Sequence, residues 1–156
     1  MSLFRPAFAL AFAILIAAWP WAARAVRAAE LQPLEIVTAA GVHVLAVELA
    51  ATPAEIAHGL KGRTSLLDGS GMLFDFRAEV QANMSMKDTP VALDMIFIRA
   101  DGQISRVVEN LTPLSDRQIY SGGPVRGVLE VPAGTVRRLG IAPGNRVGHR
   151  IFARNR

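Results

Sequence analysis

Asp94 lies in the otherwise apolar run Leu93–Ile98, and it is the residue from which any chemistry in this chain would start. A carboxylate inside a buried strand is costly unless it is paired or multiply hydrogen-bonded. Lys87, Arg63 and Arg126 are candidate partners, as are the backbone N–H groups of the Lys87–Thr89 turn. Two readings follow. The acid either pins that turn, or it works with a shifted pKa in binding or proton transfer. Arg63 and Arg126 suit bidentate recognition of an anion, or they brace nearby carboxylates. Tyr120, the only tyrosine, offers a ring for stacking, and Asp88 and Glu130 complete a polar set of seven. The set as a whole predicts a charged hollow for an anionic or sugar-containing ligand.

Two alternatives draw on the same residues. Asp94 and Glu130 would serve as the paired acids of a glycoside hydrolase if they faced each other across a cleft. Met84 and Met86 share one face of a strand, and soft thioethers, with Met72 and Met95 nearby, can hold Cu(I). The competing reading is that these methionines fill an irregular core. Other chemistries lack their signatures. Ser65, Ser85 and Ser121 have no nucleophile-elbow context. His43, His58 and His149 have no zinc-ligand spacing, and the chain has no cysteine for metal, thiol or disulfide chemistry. No glycine-rich phosphate loop with its Lys and Ser/Thr is present. No cofactor is implied.

The elements that must position the set read as mainly β. Val80, Ala82, Met84 and Met86 alternate with Gln81, Asn83, Ser85 and Lys87, a period of two that Pro90 ends. Met95–Arg99 and Gln103–Val108 flank Asp101-Gly102, which predicts a hairpin with a two-residue turn. Leu34–Thr38 and His43–Leu49 predict a first hairpin around Ala39-Ala40-Gly41. Thr52, Pro53 and Glu55 form a helix start with a capping box, and Gly59 and Gly62 limit that helix to about two turns. Gly71–Phe76 is a strand with Met72, Phe74 and Phe76 on one side. Gln118–Ser121 is a short segment broken by Gly122-Gly123-Pro124. Val125, Gly127, Leu129 and Val131 then oppose Arg126, Val128 and Glu130. Thr135–Leu139 reads as one helical turn closed by Gly140, and Arg146–Phe152 as a final strand. The expectation is seven to nine short strands in a compact sandwich or rolled barrel.

This ordered set resembles the domain of unknown function 192 family. The residues that carry the resemblance begin with Gly59, Leu60, Arg63, Ser65 and Leu66, then Gly71, Met72, Leu73, Phe74 and Phe76. Met86, Lys87, Thr89, Leu93, Asp94, Phe97, Ile98, Asp101, Gly102 and Ile104 match its core. Tyr120, Pro124, Arg126, Val128, Leu129, Glu130, Pro132, Ala133 and Gly134 match its end. Ser85 stands where the family pattern has Trp, Asp88 where it has Asn, and Ala92 where it has Pro. The resemblance implies a small, mainly β, often exported domain, and it implies no activity.

Ahead of this domain, Arg5 and the apolar run Ala7–Ala18 have the form of an export signal. Small residues at Ala23-Arg24-Ala25 and Val26-Arg27-Ala28 suit cleavage. An uncleaved anchor is the alternative, with the domain on the same side of the membrane. Of 17 basic and 13 acidic residues, Arg5, Arg24 and Arg27 belong to residues 1–29, which leaves 14 against 13. A near-neutral domain gives no ground for a nucleic-acid partner. Six arginines, Arg137, Arg138, Arg146, Arg150, Arg154 and Arg156, follow Glu130 with no acid among them, a solvated rim or a contact for an anionic envelope lipid or polymer. The sequence therefore predicts a periplasmic or secreted single domain, residues 30–156. It would bind a small molecule or envelope polymer and, if the N-terminal segment stays uncleaved, meet the membrane only through that segment.

Overall fold

The computed structural model describes residues 30–152. The predicted leader, Arg154 and Arg156 lie outside them. Seven strands form one sheet: β1 (Leu31–Thr38), β2 (Gly41–Ala50), β3 (Ser70–Met84), β4 (Leu93–Ile98), β5 (Ile104–Leu111), β6 (Ile119–Pro132) and β7 (Arg146–Gly148). Their order is β5-β4-β6-β3-β2-β1-β7. The sheet curls until its two ends meet. Gln103 bridges Arg146, and Val147 N–H donates to the Gly102 carbonyl at 2.8 Å. The rolled-barrel form of the expected fold is the one adopted.

Sequence order and sheet order differ, and this difference builds the layer over the sheet. β2 and β3 run parallel, so the chain must cross over between them. Residues 51–69 make that crossover and carry α1 (Pro53–His58), with its Thr52/Glu55 capping box. The 85–92 link steps across β6 to reach β4, and the 112–118 link steps across β4 to reach β6. All three lie on one sheet face, where Ile56, Leu60, Leu66, Met86, Val91 and Ile119 pack with Met72, Phe74, Met95, Phe97 and Val128. The other face holds Leu34, Ile36, Leu73, Ile96, Ile98, Leu129 and Val131 inside the curl. That side is closed by Val136 from α2 (Thr135–Leu139), by Ile141, and by Phe152 at the end of the 3₁₀ turn Arg150–Phe152.

Several local expectations are revised. β3 and β6 are single strands of 15 and 14 residues, each read from sequence as two pieces. β3 passes from Asp75, opposite Gly127, to Val80, opposite Val125, through a bulge that absorbs the extra residues. The bulge also moves Val125 to the same face as Val128, away from Leu129 and Val131. β6 runs through Gly122-Gly123-Pro124 because the Ser121 hydroxyl takes over ladder bonding. It accepts from Ala82 N–H at 3.0 Å and donates to the Gly123 carbonyl at 2.7 Å. The β4–β5 hairpin closes with three residues, Ala100-Asp101-Gly102. Gly102 N–H donates to the Arg99 carbonyl, and Gly102 has φ +81°. A Cβ there would meet the Val147 carbonyl oxygen at 2.6 Å, so glycine serves both the turn and the closure of the curl. Arg146–Phe152 divides into a three-residue strand and a 3₁₀ turn.

A candidate functional site under the crossover links

The Met86–Thr89 turn is the middle of the crossover layer. Thr89 N–H closes it on the Met86 carbonyl at 3.0 Å. Gly62 N–H from the first crossover donates to the Asp88 carbonyl at 2.8 Å, and Leu114 N–H from the third donates to the Thr89 carbonyl at 3.0 Å. Asp88 has φ +59°, a left-handed conformation that Asn and Asp tolerate better than most residues. Between this turn, α1 and the far end of β3 lies a cleft of about 400 Å³. Its walls include Ile56, Leu60, Phe74, Phe76 and Met84; its polar groups come from Asn83, Ser85, Lys87, Thr89, Lys61 and His58. Ser85, at the position where the family pattern has Trp, is part of its lining.

Glu130 lines the base of the cleft. It sits on the face of β6 that carries Met95 and Met72 as its neighbours on β4 and β3, and it is only 4% exposed. The ion pairs among the described residues are Arg63–Glu48, Arg126–Asp75, Arg137–Glu109 and Arg138–Asp68, and none reaches it. No fully sealed side-chain N or O among the described residues lacks a hydrogen-bond partner. The Glu130 carboxyl makes no hydrogen bond to the described residues, so its oxygens open to the cleft. Burial without compensating charge raises its pKa to about 8. At neutral pH this group is mostly a neutral acid, able to donate one hydrogen bond and accept others.

The predicted set divides. Lys87 and Glu130 line the cleft, and Asp88 lies in the turn above it with its side chain exposed. Asp94 is fully buried and belongs elsewhere. Its Oδ1 accepts from Asn110 N–H at 2.8 Å and its Oδ2 from Val136 N–H at 2.9 Å. Those amides, and neither a cation nor the Lys87–Thr89 turn, are its partners. α2 begins at Gly134, which has no side chain to cap with, and Asp94 supplies the missing acceptor from β4. It also satisfies the amide left over where β5 has one residue more than β4 between Leu93 and Met95. Asp94 pairs with Val131 and Met95 with Glu130, so the two acids point to opposite faces of the sheet. They cannot share one cleft as a hydrolytic pair.

Both arginines are engaged with acids. Arg63 makes a bidentate pair with Glu48, both N···O distances 2.5 Å, and Glu48 stands one strand beyond Met72 in the same cross-strand row as Glu130. Arg126 holds Asp75 at 2.8 and 3.2 Å beside the β3 bulge, and Arg77 N–H adds a third bond at 2.8 Å. Burial works to raise the Asp75 pKa, but these bonds outweigh it and hold the carboxyl below its usual value. Tyr120 is 53% exposed at the start of β6, does not line the cleft, and accepts a bond from Arg106 at its backbone carbonyl. The methionines pack: Met72, Met86 and Met95 are buried in the apolar cluster, and only Met84 shows at the cleft wall. The α1 wall, with His58 and Lys61, was not among the sequence candidates. Nothing in the local pattern reveals that a parallel crossover lays it over Glu130.

The chain is similar, over residues 35–149, to the DUF192 family model, described as uncharacterised, and it belongs to that family. Two solved structures share the fold. A protein from Sinorhizobium meliloti 1021, named a "putative transcription regulator", is 43% identical with a TM-score of 0.75, over 78% of this chain and 95% of that one. A protein of unknown function from Novosphingobium aromaticivorans DSM 12444 is 35% identical with a TM-score of 0.76, over 80% and 89%. No curated protein matches the chain significantly.

Proposed function

We propose that this protein is an exported binding module that holds a small polar, sugar-containing ligand in the cleft above Glu130. One observation carries the reading: a buried carboxyl with no partner among the described residues opens into a cleft large enough for a small ligand. Around it, apolar walls that include the Phe74 and Phe76 rings combine with hydroxyl and amide groups, a mixture suited to a sugar ring. Binding is favoured over turnover because Asp94 faces the other side of the sheet, which leaves Glu130 without a second acid. The export reading rests on Arg5, the Ala7–Ala18 run and the small residues that follow. The name of the Sinorhizobium relative raises a nucleic-acid reading. It is less favoured here, because the α-helices among the described residues span six and five residues and the chain past residue 29 is close to charge balance.

The test is NMR titration of residues 30–156 with a panel of neutral and acidic disaccharides. Shifts are expected to concentrate in residues 56–61 and 82–89 and to vanish in a cleft-filling Ser85→Trp variant. Absence of saturable shifts with every sugar, or shifts spread over both sheet faces, would remove this reading.

A further inference from the structure

The charges around Glu130 specify more than a polar ligand. No other acid lines the cleft, while Lys61 and Lys87 stand at its rim. Lys61 spends one of its three donors on the Ala57 carbonyl, at 2.8 Å, and keeps the rest. On the sheet below, Met72 and Met95 flank Glu130 and offer it no charge. Glu48, two strands away, is neutralised by Arg63. From the crossover links the cleft receives only Lys61, Lys87, the imidazole of His58, and the hydroxyls of Ser85 and Thr89. With the buried acid in its neutral form, the cleft presents an O–H donor at its base and two ammonium groups at its mouth.

We infer that the ligand carries a carboxylate, which accepts the Glu130 O–H at the base of the cleft while Lys61 and Lys87 balance its charge from the rim. This rests on the binding reading above and narrows the ligand to an acidic sugar. The complement is specific. A carboxylate supplies a strong acceptor for the acid O–H, and an O–H···O⁻ bond is among the strongest a buried acid can make. Two carboxyls that share a site hold one proton between them, so the neutral form of Glu130 is reinforced by its ligand. Ionised Glu130 would instead place two negative charges together at a position only 4% exposed. A neutral sugar recovers the hydrogen bond to Glu130 and gains nothing from the lysines.

The experiment is calorimetric titration of residues 30–156 with three probes: a glucuronate-containing disaccharide, the matching glucose disaccharide, and an acetylated dipeptide with a free C-terminus. The acidic sugar is expected to bind at least tenfold more tightly than the neutral one at pH 7. With the acid titrating at about 8, its Kd should rise about tenfold between pH 7 and pH 9. Glu130→Gln, which keeps a neutral donor, should bind at pH 7 and lose that pH dependence. The same titration of His58→Gln should leave it intact. Lys61→Ala/Lys87→Ala should weaken the acidic sugar selectively. Equal, pH-independent binding of both sugars would overturn the carboxylate inference and leave the sugar-binding reading standing. Binding of the dipeptide alone would do the reverse. Failure of all three probes would overturn both.

Discussion

Replacing Asp94 with alanine removes the acceptor that holds two backbone amides from separate parts of the chain. Asn110 N–H and Val136 N–H reach Oδ1 and Oδ2 at 2.8 and 2.9 Å, at a residue with no solvent exposure. A hydrogen bond to a charged group contributes about 1.5–3 kcal/mol, and the orphaned amides have no alternative partner from their own elements. α2 loses its cap because Gly134 has no side chain, and the extra residue of β5 loses what holds it. The gain from no longer burying a charge offsets part of this, leaving a loss of about 3–4 kcal/mol. For a domain of this size that lowers Tm on the order of 10–15 °C. Asp94→Asn keeps one acceptor and should lose about half as much. Thermal unfolding by circular dichroism measures the shift, and hydrogen exchange localises it. The Asn110 and Val136 amides should lose protection while those of the Met86–Thr89 turn keep theirs, because that turn lies on the other face. A Tm within 3 °C of wild type for Asp94→Ala, or full protection at both amides, would refute the pinning role.

Glu130 and Asp75, whose pKa values are shifted in opposite directions, predict opposite pH responses. Glu130 titrates at about 8 when folded and near 4.5 when exposed, so the native state binds the extra proton between those values. The stability tied to that proton is complete below about pH 4.5 and lost as pH rises through about 8, a few kcal/mol in all. Tm should therefore fall between pH 5 and pH 9, and Glu130→Gln should flatten the fall; a wild-type curve already flat over that range would contradict the assignment. Asp75 is held below its usual value by Arg126 and Arg77, so its contribution is present above the unfolded carboxyl pKa and lost as pH falls through the lower, folded one. Asp75→Asn should lower Tm at pH 7 and converge with wild type in acid, and a gap that persists below pH 2 would show the loss to be steric.

Periodicity of two was enough to group Met72, Phe74 and Phe76 on one face of β3 and Leu129 with Val131 on one face of β6, because alternate residues of a strand meet the same core. The capping box at Thr52 and Glu55 was legible for a similar reason: its bonds lie within four residues of one another. What failed to show were consequences of pairing. The β3 bulge that regroups Val125 with Val128 depends on Gly127 lying opposite Asp75. The continuity of β6 depends on Ser121 reaching Ala82. The charged hollow failed for the same reason. Glu48 precedes Arg63 by a crossover and Asp75 is far from Arg126 along the chain, so the partners that neutralise both arginines come from pairings no local pattern encodes. Glu130 was placed in the polar set with Arg126, on one face of an alternating strand, and it does line the cleft. Its lack of a partner was visible only in three dimensions.

Asp94 and Glu130 show what separates a buried acid that serves the fold from one available to a ligand. They sit one register position apart on adjacent strands, both within 4% exposure, and nothing in their immediate sequence ranks one above the other. The difference lies in the donors each face supplies. The inner face ends at a glycine-started helix and a bulged strand, which present spare amides, and Asp94 satisfies both. The outer face lies under three crossover links whose amides at Gly62, Thr89 and Leu114 are already committed to carbonyls within that layer. Glu130 is left with apolar neighbours, the cleft's hydroxyls and open space. An acid so placed costs stability whenever it ionises, and an apolar side chain of similar size would avoid that cost. Under the proposed function the cleft would turn that penalty into selectivity, because a ligand that accepts the proton's hydrogen bond would supply the partner that the fold withholds.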